Sequence, residues 1–189
     1  LDRSSAASDV YKRQAQERIN EILIEQARAG RRVVRLKGGD PYVFGRGFEE
    51  LTALTDAGIP VEVIPGVTSA VAVPALAGTP VTHRGMVHAL TVVSGHLPPG
   101  HPKSLVDWAA LAQSGATLSV IMGVKNAAAI AAALIDASLP PHTPVRIIQE
   151  GSLAEERVFS CELSTLGSTM EDKAVAPPAV IVIGEVAGL

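Results

Sequence analysis

The residues from Arg35 to Gly47, Arg-Leu-Lys-Gly-Gly-Asp-Pro-Tyr-Val-Phe-Gly-Arg-Gly, hold the densest set of groups able to meet a ligand. Gly38 and Gly39 carry no Cβ, so their backbone can turn through positive φ and let a ligand come close. Pro41 drives Asp40 out of the α region and so aims its carboxylate. Arg46, between Gly45 and Gly47, offers a planar fork suited to carboxylate or phosphate. The same residues also fit a plain strand-to-helix turn rich in glycine. Two other stretches share the theme, Gly66-Val67-Thr68-Ser69 and Met122-Gly123-Val124. The hydroxyls of Thr68 and Ser69 suit N-caps, and a helix N-terminus attracts an anion or a polar ligand end. Met122 fits either a soft contact for a flat ring or sulfur, or a core methionine closing a strand.

Other chemistries find little support. The five histidines (His83, His88, His96, His101, His142) show no i, i+4 pair and no ligand-spaced carboxylate or cysteine, so no metal site is expected. Cys161, the one cysteine, lies in a predicted strand without a neighbouring base, and no Gly-x-Ser-x-Gly elbow exists. Lys37 precedes its glycines rather than following them, so the loop is not a Walker A motif. It is not the dinucleotide Gly-x-Gly-x-x-Gly either. A formal charge of −3 without a basic stripe argues against nucleic acid as a partner. No apolar run reaches the ~18 residues that a membrane helix needs, no signal-peptide layout is seen, and a lone cysteine suits a reducing cytosol. A cytoplasmic location is expected.

The elements that must position these groups read as α/β. Of 189 residues, 47% are hydrophobic but only 3% aromatic, so the core must be built from Val, Ile, Leu and Ala. Residues 1–14, LDRSSAASDVYKRQ, lack periodicity and read as a tail foreign to the domain. Ile19, Ile22, Leu23 and Ala27 share a helical face, with Gly30 as the C′ residue. Val33–Leu36 reads as a buried strand, Gly47–Ala57 as a helix stopped by Gly58, and Val61–Ile64 as a second strand. A helix follows from about Ala70. After the connection 78–85, strands are expected at 90–96, 117–121, 145–148, 157–160 and 179–183. Helices are expected at 104–112, 126–137 and, weakly, 163–170. Asn126 is the expected N-cap of the Ala-rich helix.

Several motifs stand in order: Arg35–Glu50, Pro65-Gly66-Val67-Thr68-Ser69-Ala70, Gly78-Thr79-Pro80-Val81-Thr82-His83-Arg84-Gly85, Val93-Ser94-Gly95-His96, Gln149-Glu150-Gly151 and Val182–Val186. Together they resemble the tetrapyrrole methylase family over about 16–186, most of all its uroporphyrinogen-III-methylating branch. The resemblance implies two α/β domains with a cofactor cleft between them, divided near Met86 into 15–86 and 87–189. It implies S-adenosylmethionine as methyl donor, S-adenosylhomocysteine as product, a small tetrapyrrole as substrate, and a homodimer. It carries cofactor contacts onto Gly38, Gly39, Asp40, Val43, Thr68, Ser69, Met122 and Gly151, and less firmly onto Ala179. The implied reaction is the double C-methylation of uroporphyrinogen III to precorrin-2, on the sirohaem or cobalamin branch. Arg46 and Arg84 are the cations we expect to hold substrate carboxylates.

Family members place a strand, a Gly/Pro-rich loop and a second strand ahead of the helix at Gln16, including the groups proposed to move protons. LDRSSAASDVYKRQ matches none of that, so the first domain is expected to be incomplete, the catalytic acid and base absent, and activity little or none. Lys12 is not a substitute. Two alternatives remain: methylation of another tetrapyrrole precursor, and a non-catalytic cofactor-binding fragment.

Overall fold

The computed structural model describes residues 16–189, and the reading of 1–14 as a foreign tail lies outside the described residues. The chain forms two compact units, one ending at Gly66 and the other running from Val67 to Leu189.

The described part of the first unit has two helices, α1 (Gln16–Arg28) and α2 (Gly47–Asp56), packed on each other. Each ends on the expected glycine. Gly30 (φ 75°) and Gly58 (φ 74°) take the left-handed conformation that closes a helix. Arg31 N–H reaches back to Gln26 O at 3.3 Å and Ile59 N–H to Leu54 O at 3.0 Å, satisfying carbonyls the helix itself cannot. The predicted strands Val33–Leu36 and Val61–Ile64 are not strands. Both run without helical or ladder structure, and neither pairs with a strand among the described residues. Alternating or apolar residues create only the propensity for a strand; the ladder needs a neighbour. Val34, Leu36 and Ile64 are correspondingly exposed.

The second unit is built on a five-stranded sheet of order β1-β2-β5-β3-β4. Its strands are β1 (Leu90–Ser94), β2 (Thr117–Ile121), β3 (Pro144–Gln149), β4 (Arg157–Glu162) and β5 (Ala179–Ile183). β1 and β2 are parallel; the other neighbours are antiparallel. β5, Ala-Val-Ile-Val-Ile, is apolar on both faces because both are covered. On one face Leu118, Val120, Val145, Ile147, Ile181 and Ile183 pack against α4 (Trp108–Gln113), α5 (Ala127–Asp136) and α6 (Leu166–Asp172). On the other, Ile148, Val180 and Val182 meet Val73 and Ala77, from and just beyond α3 (Ser69–Leu76), together with Ala187. Edge strand β4 alternates instead, as half-buried strands do.

Two helix starts differ from expectation. The helix predicted from Ser104 begins at Trp108, because Asp107 Oδ1 accepts from Ala110 N–H at 2.9 Å and caps it there. Asn126 does stand at the start of α5, after a 3₁₀ turn over Val124–Asn126, but its side chain caps nothing.

Candidate functional site

In the first unit the loop 38–47 is folded around one carboxylate. Asp40 Oδ1 accepts from Tyr42 N–H at 2.8 Å, and Oδ2 accepts from Gly66 N–H at 3.1 Å. Those two donors hold the Asp40 carboxyl below the usual carboxylate range. The contact brings Gly66 against Gly39, where a Cβ on Gly66 would stand 2.7 Å from Gly39 O. Gly39 itself sits at φ 132°, which a side chain would strain. A Cβ on Gly38 would meet nothing within 4 Å, so that backbone faces open space. Val43 closes the turn, its N–H donating to Asp40 O at 3.4 Å.

Arg46 stands at the N-cap position of α2 with φ 57°, and its guanidinium grips the Glu49 carboxylate at 2.9 Å and 2.6 Å. Both side chains are exposed. The unit's buried charge lies elsewhere. Glu50 is 4% exposed and receives Lys37 Nζ at 2.9 Å, Gln16 Nε2 at 3.1 Å and Arg35 Nε at 3.2 Å. Burial alone pushes its carboxyl up; the hydrogen bonds from Lys37 and Gln16, with the charges of Arg35 and Lys37, outweigh this and leave it lowered. Lys37 thus anchors the start of the glycine loop to α2, a role the sequence reading missed. Its signal was there in principle: a Lys beside the glycines and a Glu on the inward face of the next helix.

In the second unit three expected contacts gather at one edge of the sheet. Ile121 ends β2 opposite Val180, and Gln149 ends β3 opposite Ala179. Met122, Gly151 and Ala179 therefore leave or enter the sheet at the same border. Met122 is 49% exposed at φ 56°, so it is not a core residue. α3 crosses one face of this sheet. Thr68 caps it, Oγ1 accepting from Ala70 N–H at 3.3 Å, while Ser69 is its first residue and not a second cap. Ser119, buried within β2, donates its hydroxyl to Ala70 O at 2.8 Å and pins the helix start to the sheet. A Cβ on Gly151 would lie 2.4 Å from Val73 Cγ1, so only glycine lets the β3 end pass under α3. Ser119 escaped the sequence reading because a lone Ser in an apolar run carries no periodic signal.

Arg84 is exposed in a tight turn, where His83 bridges Val87 and His88 Nε2 lies 2.6 Å from Arg84 O. Burial raises the Cys161 thiol pKa, which disfavours the thiolate a nucleophile needs. Among the described residues no group of three His, Cys, Asp or Glu could hold a metal, and no helix is long and apolar enough to cross a membrane.

The chain resembles known proteins along most of its length. The family model for tetrapyrrole (corrin/porphyrin) methylases matches residues 3–167, a match that begins within the first fourteen residues set apart above. An S-adenosyl-L-methionine-dependent uroporphyrinogen III methyltransferase of Methanosarcina barkeri is 46% identical over 174 residues, covering 92% of this chain and 68% of that protein. A sirohaem synthase of Xylella fastidiosa is likewise 46% identical over 92% of this chain, which spans only 36% of it. Among solved structures, uroporphyrin-III C-methyl transferase from Thermus thermophilus complexed with S-adenosyl homocysteine superposes with a TM-score of 0.76 at 42% identity, over 90% of this chain and 70% of that one. A cobalt precorrin-4 methyltransferase, at 21% identity and a TM-score of 0.84, shares the fold. By the extent of the family match, and by a relative 46% identical and covered over 68% of its length, the chain belongs to the tetrapyrrole methylases.

Proposed function

We propose that this chain carries the S-adenosylmethionine-dependent C-methylation of uroporphyrinogen III, the reaction yielding precorrin-2. The observation that supports it most is the 46% identity to a uroporphyrinogen III methyltransferase over 92% of the chain. The residues suit the cofactor. The Asp40 carboxylate is fixed by two backbone donors and its charge suits a cationic ligand, the backbone at Gly38 is open, and Met122 is an exposed thioether. Gly39, Val43, Thr68, Ser69, Gly151 and Ala179 complete the proposed contacts. When bound, S-adenosylmethionine supplies an electrophilic methyl on a sulfonium. The substrate's reduced pyrrole carbons are electron-rich, so the chain's own residues have to bind, orient and align rather than attack.

Arg46 and Arg84 are the proposed holders of substrate carboxylates. Arg46 is already bound to a carboxylate, Glu49, in an exposed pair. Such pairs are weak, so an incoming carboxylate can replace the glutamate without a large penalty. A homodimer, a cytoplasmic location and a domain division near Met86 belong to the same reading.

Calorimetric titration with S-adenosylhomocysteine tests the cofactor half. Saturable binding, weakened about tenfold in Asp40→Asn where an amide must face one of two N–H donors, is expected. No binding at millimolar ligand refutes it. A panel of reduced tetrapyrroles then tests the substrate. Preference for a precursor other than uroporphyrinogen III would move the chain to another branch of the family.

A further inference from the structure

The N-cap position of α5 holds a residue well suited to capping that does not cap. Asn, with its side-chain oxygen, is among the best N-caps. Asn126 forgoes it. Its amide instead donates to Gly95 O at 2.7 Å and to His96 O at 3.1 Å, both on the loop that leaves β1. Its backbone N–H donates to Gly123 O at 3.0 Å, on the loop that leaves β2. One residue therefore holds both loops.

The loops are close enough for this to matter. β1 and β2 are parallel, so they release their chains side by side, and Gly95 N–H continues the pairing to Ile121 O at 2.8 Å. A Cβ on Gly95 would stand 2.5 Å from Gly123 Cα and 2.9 Å from Ile130 Cδ1; only two bare backbones can meet there. Next to Gly123, Met122 is held at φ 56° while its side chain is half exposed. A non-glycine residue in that region is strained and persists only where its surroundings over-determine it.

We propose that Asn126 is a positioning residue that locks the loops after β1 and β2 into one rigid rim, fixing Met122 on one side and His96 on the other. The clasp stands on geometry alone. Its consequence for ligand binding rests on the proposed function, because Met122 is a contact only in that reading.

Two variants separate a clasp from a helix cap. Asn126→Asp keeps an oxygen able to cap α5 but sets a carboxylate against two carbonyl oxygens. Asn126→Ala removes both capacities. In the 189-residue chain, backbone amide exchange at 95–97 and 122–124 should accelerate at least about tenfold in both variants. Amides of Ile147 and Ile181 in the sheet centre should stay unchanged in Asn126→Asp. Affinity for S-adenosylhomocysteine should fall about tenfold in both, the loss expected for one to two hydrogen bonds. Unchanged loop exchange in Asn126→Asp overturns the proposal, as does unaltered affinity once the loops have loosened. Absence of binding by the unmodified chain would refute the function, not the clasp, which the exchange measurement decides on its own.

Discussion

The two units hold themselves together by different physics. The second has a closed account: five paired strands, both faces covered, and Leu118, Val120, Ile147, Ile148, Ile181 and Val182 at or near zero exposure. In the first, the segments that look most like core strands lie unpaired among the described residues, and Val34, Leu36 and Ile64 are 79%, 75% and 68% exposed. What orders its loop is polar: two N–H donors on Asp40, and Lys37, Gln16 and Arg35 on Glu50. An apolar sheet resists pH and salt; a web of carboxylates answers to both.

Hydrogen exchange should show the contrast at its greatest. Amides of 33–36 and 61–64 should exchange about a thousandfold faster than those of β2 and β5, since only the latter open with the whole sheet. Equal protection would mean that the first unit has found strand partners in solution, and the comparison would fail. Truncating the sheet's core comes next. Leu134, fully buried in α5, should cost about 3 to 4 kcal/mol when changed to alanine, read as a fall in the urea midpoint of the second unit.

Glu50→Ala should cost the first unit about 3 kcal/mol, because it leaves Lys37, only 12% exposed, without its counter-charge. The near-UV signal of Trp108, in the second unit, should hardly change. Acid should act through the same group. A carboxyl lowered on folding contributes stability that is present above its ordinary value of 4.5 and is lost as pH falls through the lower folded value. The first unit should therefore lose structure below pH ~4 before the second, and Glu50→Gln should flatten that dependence. Carbon-detected NMR titration of Glu50 checks the lowered carboxyl, and acid unfolding of Glu50→Gln beside the unmodified chain checks the flattening. At the small end, Ser119→Ala should cost about 1 kcal/mol, from a buried hydroxyl lost to the Ala70 carbonyl.

Much of the second unit could be read from the chain. The run Ala179–Ile183 and the i, i+3, i+4, i+7 spacing of Ala127, Ile130, Ala131 and Leu134 are local patterns, and local patterns survive into the fold. Gly30 and Gly58 were legible for the same reason: a helix stop needs one residue at positive φ. The glycine loop at 38–47 and its Asp40 were legible as a cluster. What escaped was every feature made by two distant segments. Val33–Leu36 has the composition of a strand, but a ladder is a property of pairs. Asn126 was placed correctly at a helix start, yet a cap and a clasp use the same amide, and no spacing says that residues 95 and 96 will lie opposite. Sequence determined which segments could be helix, which could be strand, and where bare backbone would be offered to a ligand, because those follow from each residue's own sterics and its near neighbours. Tertiary structure alone decided which strands found partners, that Lys37 would answer Glu50, and that Asn126 would join two loops, because a hydrogen bond or an ion pair exists only once both of its ends have been brought within reach.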